Sequence, residues 1–281
     1  MMSHIGATRA ILITTAAVAA MAALDAAPPA APGQYLAFVG PYTRPNQSKG
    51  IYAYKYDAKT GKFTPIGLAA ETSNPSFLAV HPNHKFLYAV NENAQGTVSA
   101  FVIDAATGRL QALNQVSSKG NGPCHLAVDP GGKWLFVANY NSGSVAAFPV
   151  NADGSLGEAA SFVQHSGSSV DAQRQKGPHA HETVLSPDAK VLFVPDLGMD
   201  QVMAYRFDAQ GALTPAGNVS TLGKTPRHFT IDPSGNFLVV ENQDSGNIVI
   251  FKIDPKTGGL APTGDALEVS QPVCLVFAPA Q

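Results

Sequence analysis

A single pattern of apolar and polar positions recurs five times along the chain. Each copy begins with an anchor residue, usually proline, and continues as a mostly apolar stretch that ends in a second proline seven residues later. The anchors stand 46–48 residues apart, except for one spacing of 57 that contains an insertion at residues 166–177. A fixed period of this length is typical of a repeat architecture. The copies occupy residues 75–82, 123–130, 180–187, 226–233 and 272–279.

Further apolar runs follow each copy, as at residues 85–91 and 97–104 of the first repeat. These runs are rich in β-branched and aromatic residues and are bounded by Gly, Asn, Asp or Pro, so they predict strands. Four strands in each repeat of this period predict one blade of a β-propeller. Frequent Pro and Gly disfavour a helical repeat.

The two ends of the repeat region predict a closed ring. The region begins with a sequence of second-strand type at residues 35–40 and ends with a first-strand sequence at residues 272–279. We therefore expect the last strand to complete the first blade, which would remove a free sheet edge. On this count residues 35–281 form an all-β propeller of five four-stranded blades.

The N-terminal residues do not share the repeat pattern. Residues 10–24 form an apolar and Thr-containing run of 15, shorter than the roughly 20 that a membrane helix needs. This run ends in small residues, with possible cleavage sites at 20–22 and 24–27. We predict a signal peptide at residues 1–27 and a linker at 28–34, hence a periplasmic or secreted protein. An uncleaved anchor is the alternative.

Composition narrows the functional classes. The 281 residues include 18 Lys and Arg against 20 Asp and Glu, a balance that offers no electrostatic case for nucleic-acid binding. A hydrophobic content of 45% excludes a largely disordered chain. The two cysteines, Cys124 and Cys274, lie at equivalent points of different repeats, so a disulfide between them is the less favoured interpretation.

The few ionisable residues gather at one end of the predicted strands. In a propeller the first strand of each blade lines the central channel, and its start lies on the same face as the end of the second strand. Residues that follow the anchors, residues that end second strands, and the insertion should therefore meet at the mouth of this channel, where a polar site is expected. The candidates are His125, Arg174, His179, His181, Glu182, Asp196, Arg227 and His228.

Structural roles compete with these functional ones. For His125, a bond to the backbone of the neighbouring blade is as favoured as a site role. His179 and His181 could approach one metal ion, but alternate strand residues point to opposite faces and no third ligand is evident, so no metal or other cofactor is predicted. His81 and His84 should be surface residues on the opposite rim. Cys124 is a weak candidate for a nucleophile.

Several segments resemble the lactonase family, which includes propeller-type 6-phosphogluconolactonases and the fungal carboxy-muconate cyclase. Residues 174–181, Arg-Gln-Lys-Gly-Pro-His-Ala-His, resemble a signature segment of that family together with residues 185–188 and 193–198. Residues 225–233 with 242–246 resemble its final blade. The resemblance extends over about residues 35–281, and it is also carried by residues 74–76, 122–125, 139–143 and 272–274.

The resemblance implies seven blades, whereas this sequence shows five. Two blades of the family pattern have no counterpart between the blade that carries His181 and the one that resembles the last blade. In the family those blades contribute an Arg, a Glu and a second Arg to the proposed active site of the cyclase-like members. Only the His179 and His181 segment carries over directly, since Arg227 belongs to a different blade pattern.

By this resemblance the protein is expected to be an exported hydrolase that opens a sugar lactone or related cyclic ester. His179, His181 or Glu182 would activate water as general base. Arg174 and Arg227 would hold an anionic group of the substrate and stabilise the oxyanion. The remaining candidates for substrate binding are His125, Asp196 and His228.

Two alternatives stay open. The first is a non-catalytic propeller that acts as a binding module, and the second is a cycloisomerase that forms a lactone. In each case the expected partner is a small molecule and not a nucleic acid, nor a membrane once the leader is removed. The sequence makes no prediction of the oligomeric state.

Overall fold

A computed structural model describes residues 33–43, 48–272, 275 and 277, without the side chain of Arg227. The predicted signal peptide lies outside these residues, as do most of the predicted linker and most of the closing strand expected at 272–279. Within the described part of the chain there is no helix of the length and hydrophobicity needed to cross a membrane.

All the regular elements of the described residues are strands, and antiparallel pairing joins them into five sheets. The first sheet has three strands, β1 (Gln34–Val39), β2 (Gly50–Asp57) and β3 (Lys62–Glu71). Each of the other sheets has four strands in chain order. They are β4 (Leu78–Val80), β5 (Phe86–Asn91), β6 (Thr97–Ile103) and β7 (Leu110–Ser117); β8 (Pro123–Val128), β9 (Trp134–Asn139), β10 (Ser144–Pro149) and β11 (Ser161–Gln164); β12 (Val184–Leu185), β13 (Val191–Asp196), β14 (Gln201–Phe207) and β15 (Leu213–Ser220); and β16 (Pro226–Ile231), β17 (Phe237–Asn242), β18 (Asn247–Ile253) and β19 (Leu260–Glu268).

The predicted all-β fold of four-stranded repeats is therefore confirmed. Two of the predicted first strands begin at their anchor prolines, Pro123 and Pro226. The first strand of the fourth sheet is much shorter than its pattern, because it is reduced to β12 and an isolated bridge between Ala180 and Asp196. The segment between that bridge and β12 carries several candidate site residues.

Apolar side chains pack consecutive sheets face to face. Between the second and third sheets, Tyr88 and Val98 lie against Leu126, Val137 and Phe148, all of them buried. Burial of each large side chain of this kind contributes about 1.5–3 kcal/mol. Equivalent buried clusters join the first sheet to the second, the third to the fourth and the fourth to the fifth.

The first and last sheets lack packing of this extent with each other among the described residues. Accordingly, β19 is exposed along nearly its whole length, from Ala261 to Glu268. In contrast, β15 of the preceding sheet begins at the buried Leu213 and includes two partly buried positions, Ala216 and Val219.

The surface location predicted for His81 is wrong, whereas His84 is exposed as expected. His81 is only 9% exposed, and its ring packs against Phe86 in the second sheet. Its Nδ1 accepts the backbone N–H of Asn83, so Nε2 carries the proton of the neutral ring and donates to the Gly132 carbonyl at 2.9 Å. The imidazole therefore bridges the second and third sheets at this turn.

The approach of this ring explains why a glycine occupies position 132. Gly132 has a φ of +67°, and a Cβ built there would lie 2.3 Å from Cε1 of His81. Gly61 has almost the same φ, +69°, but nothing lies within 4 Å of a Cβ at that position. The two glycines thus separate the cost of the backbone conformation from the cost of the close approach.

Gly132→Ala is expected to lower the free energy of unfolding by about 2 kcal/mol more than Gly61→Ala. Both variants carry the penalty of alanine at positive φ, but only the first displaces a buried ring. Denaturant unfolding of the two variants and the wild type measures this difference. Equal losses would show that the His81 bridge does not constrain this turn.

Candidate active site

A cavity of about 330 Å³ opens where the first four sheets bring together the ends of second strands and the starts of first strands. Tyr42, Glu92 and Tyr140 follow β1, β5 and β9 respectively. Cys124 lies near the start of β8, and Ser76 precedes β4. The remaining lining residues are His181, which precedes β12, and Gly40 and Pro41, which precede Tyr42.

Glu92 organises one wall of this cavity. Its Oε2 accepts hydrogen bonds from the Tyr42 hydroxyl, at 2.8 Å, and from the Ser76 hydroxyl. Burial and the carboxylate of Glu92 raise the pKa of Tyr42 to about 12. Tyr42 is therefore a neutral phenol at physiological pH, with its proton directed at Glu92.

Tyr140 also lines the cavity and contacts both histidines of the signature segment. Its ring stacks on His179 with a centroid distance of 4.5 Å and an interplanar angle of 16°. The Nδ1 of His179 also donates to the Tyr140 carbonyl at 2.9 Å. His181 meets the same ring edge-on at 5.8 Å and lines the cavity. His179 thus supports Tyr140, whereas His181 faces the space where a substrate could bind.

Asp196 is completely buried and holds the backbone that carries these histidines. Its Oδ1 accepts the backbone N–H groups of His179, at 2.7 Å, and Gly198, at 3.0 Å. Its Oδ2 contacts Nδ1 of His165 at 2.6 Å, and the His165 ring stacks on Tyr205. The structure therefore places Asp196 behind the cavity, in a role that positions the chain and makes no contact with the cavity itself.

A second cluster lies beside the cavity. Cys124 and His181 line the cavity, and their successors His125 and Glu182 come close to each other, with 3.9 Å between Nε2 and Oε1. This division follows from the alternation of side chains along extended chain. The Nδ1 of His125 accepts the backbone N–H of Thr183. Burial lowers the pKa of His125 to about 3, and the rings of His181 and His228 act in the same direction when they are protonated, so the His125 ring is neutral.

Glu182 has the ionisation behaviour of a general base or acid. Burial, and to a smaller extent the charge of Glu241, raise its pKa to about 7, although His228 and the backbone N–H of Phe229 act in the opposite direction. Its Oε2 is buried without a hydrogen-bond partner among the described residues. Its proton is therefore gained and lost near neutral pH, the range in which proton transfer is most effective.

His228 approaches the same carboxylate from the last sheet. Its Nδ1 bonds Oε2 of the buried Glu241 at 2.9 Å, and this hydrogen bond raises the pKa of His228. Three of the sequence-predicted residues, His125, Glu182 and His228, are thus brought together, and His181 lies next to them in the cavity.

The predicted Arg174 is not part of this geometry. Arg174 is exposed on the insertion, while its neighbour Gln175 is buried and donates to the Leu197 carbonyl and to Asp200. The side chain of Arg227 lies outside the described part of the structure. The insertion is therefore fixed to the fold by Gln175, with Arg174 directed to solvent.

Cys124 has the environment of a structural thiol. Its Sγ donates to the His181 carbonyl at 3.3 Å, and burial raises the pKa of the thiol well above its ordinary value. Cys274 lies outside the described residues. Within the described chain no group of three or more His, Cys, Asp or Glu is arranged to hold a metal ion.

Several residues of the site were not among the sequence-predicted ones. Four of them stand at repeat positions that the sequence identifies, either the start of a first strand or the end of a second: Ser76, Glu92, Tyr140 and Glu241. Their location was therefore predictable from the repeat, although their roles were not. Tyr42 and His165 carried no comparable signal, because they lie in connections between strands.

The stability of Glu182→Gln relative to the wild type is expected to be higher at pH 8 than at pH 4.5. Because the folded protein holds the Glu182 proton up to about pH 7, while the ordinary value is 4.5, the wild type loses stability as the pH rises through this window. The loss amounts to about 3 kcal/mol for such a shift, and glutamine removes it. Unfolding curves at pH 4.5, 6 and 8 measure it, with the exposed Glu158→Gln as control. The same pH dependence in wild type and Glu182→Gln would contradict the buried-carboxyl assignment.

Comparison with known proteins identifies the family of this chain. The model of the Lactonase family, described as a 7-bladed beta-propeller, matches residues 36–219 and, in a second overlapping stretch, residues 208–277. The 6-phosphogluconolactonase of Bacillus subtilis (strain 168) is 34% identical over 227 residues, which are 80% of this chain and 64% of that protein. The chain spans less than two thirds of the length of this relative.

Solved structures agree with the sequence comparison. A protein from Lactobacillus plantarum superposes with a TM-score of 0.76 and 33% identity, over 84% of this chain and 67% of its own. The periplasmic gluconolactonase of Pseudomonas aeruginosa gives a TM-score of 0.56 and 27% identity, over 88% of this chain and 99% of its own. With a family match over most of its residues, and with the repeated four-stranded sheets that the family description implies, this chain belongs to the lactonase family of β-propeller proteins.

Proposed function

We propose that the protein is an exported lactonase that uses water to open a sugar lactone or related cyclic ester in the cavity between Tyr42, Glu92 and His181. The observation that carries the proposal is the position of His181, which lines the cavity on the segment that the family resemblance singled out. Family membership and the names of the similar lactonases support the reaction class.

The reaction assigned to this site is addition of water across the ester bond of the ring. His181 accepts a proton as the water oxygen attacks the carbonyl carbon. The resulting tetrahedral oxyanion collapses, the bond to the ring oxygen breaks, and the proton is delivered to that oxygen. The product is an open-chain hydroxy acid. Glu182, next in the chain and with a pKa near 7, belongs to the buried cluster beside the cavity.

Stacking on Tyr140 and the hydrogen bond to its carbonyl make His179 a supporting residue in this mechanism. Asp196 acts in the same way, by holding the backbone of His179. Of the three bases considered from the sequence, His181 is therefore the one assigned to water activation.

A non-catalytic propeller is the second candidate function. It is favoured by the length of the chain, which spans 64% of its Bacillus subtilis relative, and by the two overlapping family matches. Both agree with the absence of internal blades that the sequence pattern indicates. Under this candidate function the cavity binds a ligand without catalysing a reaction.

Export rests on the predicted signal peptide at residues 1–27. The name of the periplasmic gluconolactonase from Pseudomonas aeruginosa supports this location for a member of the family.

We also propose that the five described sheets are the blades of a propeller closed by residues 272–279. The first sheet has three strands where every other described sheet has four, so it is one first strand short. Within the described residues β1 pairs with β2 alone, and its other edge would accept the missing strand.

Deletion of residues 272–281 is expected to expose the outer edge of β1. Amide hydrogen exchange should accelerate at least 10-fold at the alternate residues of Gln34–Val39 whose N–H groups point away from β2, because these amides would lose their partner strand. The interior strand β5 serves as the internal control and should keep its protection. Unchanged exchange in β1 would overturn the closure.

His181→Asn is expected to lower kcat/KM for lactone hydrolysis at least 100-fold, because it removes the general base. His84→Asn is the matched control, since His84 is an exposed histidine outside the site. Rates for gluconolactones, corrected for spontaneous hydrolysis and run in both directions, measure the effect. If folded wild-type protein does not accelerate hydrolysis, the lactonase proposal fails; ligand binding without turnover would then favour the non-catalytic candidate.

A further inference from the structure

The wall of the cavity formed by Tyr42, Ser76 and Glu92 offers hydrogen-bond acceptors. Each hydroxyl has a single proton, and both protons are directed at Oε2 of Glu92. What remains available to a ligand is therefore the lone pairs of the two hydroxyl oxygens and of the carboxylate. Such a wall accepts hydrogen bonds from ligand hydroxyl groups, each of which can donate one.

A phosphate group fits this wall poorly. A phosphate dianion has acceptor oxygens and no proton to donate. It therefore cannot form hydrogen bonds to oxygen atoms whose own protons are already donated to Glu92. Its negative charge would also be repelled by Glu92. No Lys or Arg lines the cavity among the described residues; His181 is its one basic lining residue there.

Tyr140 lines the same cavity and suits the ring of a sugar. Its ring is held by the stack on His179. An aromatic side chain fixed in this way provides an apolar surface for the C–H groups of a sugar ring, while the sugar's hydroxyls reach the acceptors of Tyr42, Ser76 and Glu92. Together these side chains match a polyhydroxylated ring.

We propose that Glu92 is a specificity-determining residue that selects a neutral polyhydroxylated lactone over its phosphorylated counterpart. This inference rests on the proposed lactonase function and adds the substrate class to it. Glu92 acts by accepting hydrogen bonds from sugar hydroxyls, directly and through the orientation it imposes on Tyr42 and Ser76, and by repelling a phosphate.

The test compares kcat/KM for glucono-1,5-lactone and for its 6-phosphate. Wild type should prefer the neutral lactone at least 10-fold. Glu92→Gln, which keeps the shape and the acceptor oxygen but removes the charge, should shift the ratio about 10-fold toward the phosphorylated lactone. Glu158→Gln removes an exposed charge on the surface and should leave the ratio unchanged. A wild-type preference for the phosphorylated lactone, or an equal shift in both variants, overturns the assignment.

A second measurement needs no variant. Because repulsion between charges is screened by salt, the preference of the wild type for the neutral lactone should fall as the ionic strength rises from 0.05 to 0.5 M. A preference that does not change with salt would overturn the electrostatic part of the assignment, even if Glu92→Gln failed to fold.

Binding separates this inference from the reaction itself. The unreactive ring analogues 1,5-anhydroglucitol and its 6-phosphate, titrated calorimetrically into the wild type, should differ at least 10-fold in Kd in favour of the neutral ring. If neither lactone is hydrolysed but the neutral analogue binds more tightly, the lactonase function fails and the selectivity of Glu92 stands. Tighter binding of the phosphate, or binding of neither analogue, overturns the role of Glu92.

Discussion

The buried carboxylate of Asp196 is the constraint on which the geometry of the site depends. It ends β13 and uses both oxygens, one on the backbone N–H groups of His179 and Gly198 and the other on His165. A buried carboxylate without such partners would cost several kcal/mol, so these bonds define the path of the chain before β12. The shortness of β12 follows from this path. Ala180 pairs with Asp196 in an isolated bridge, and the backbone N–H of Thr183 bonds to His125 of the adjacent sheet in place of a regular ladder.

This irregular path has a chemical consequence. It places successive residues in two environments, His181 in an open cavity with Glu92 and Tyr140, and Glu182 in a buried cluster with His125 and His228. The first environment can bind a ligand. The second shifts the pKa of a carboxyl group to about 7 through burial. A binding surface and a group that exchanges protons at neutral pH are thus adjacent because they are adjacent in sequence.

The periodic part of this arrangement was predictable and the rest was not. Strand positions, four-stranded repeats and the convergence of His125, His181, Glu182 and His228 follow from a repeat that returns the same position to the same face. The position of His81 was mispredicted because its partner, the Gly132 carbonyl, belongs to another sheet and leaves no pattern in the sequence. The bond between Asp196 and the His165 ring leaves no such pattern either. Tyr42 contributes to the site from a connection without a repeat signal, since its hydroxyl reaches Glu92 of the next sheet.

The order of the repeats explains why the cavity does not depend on the number of blades. Its lining comes from the connection after β1 and from the second, third and fourth sheets, which are consecutive in the chain. The two family blades for which the sequence pattern shows no counterpart would follow that point, between the fourth and the last sheet. Each wall of the cavity depends on contacts between neighbouring sheets, such as Tyr42 with Glu92 and His179 with Tyr140, and all of these sheets precede that point. The sheet that follows the fourth one in this chain brings His228 and Glu241 beside Glu182. The binding wall is thus inherited from consecutive repeats, whereas the proton-exchanging cluster depends on which sheet follows the fourth.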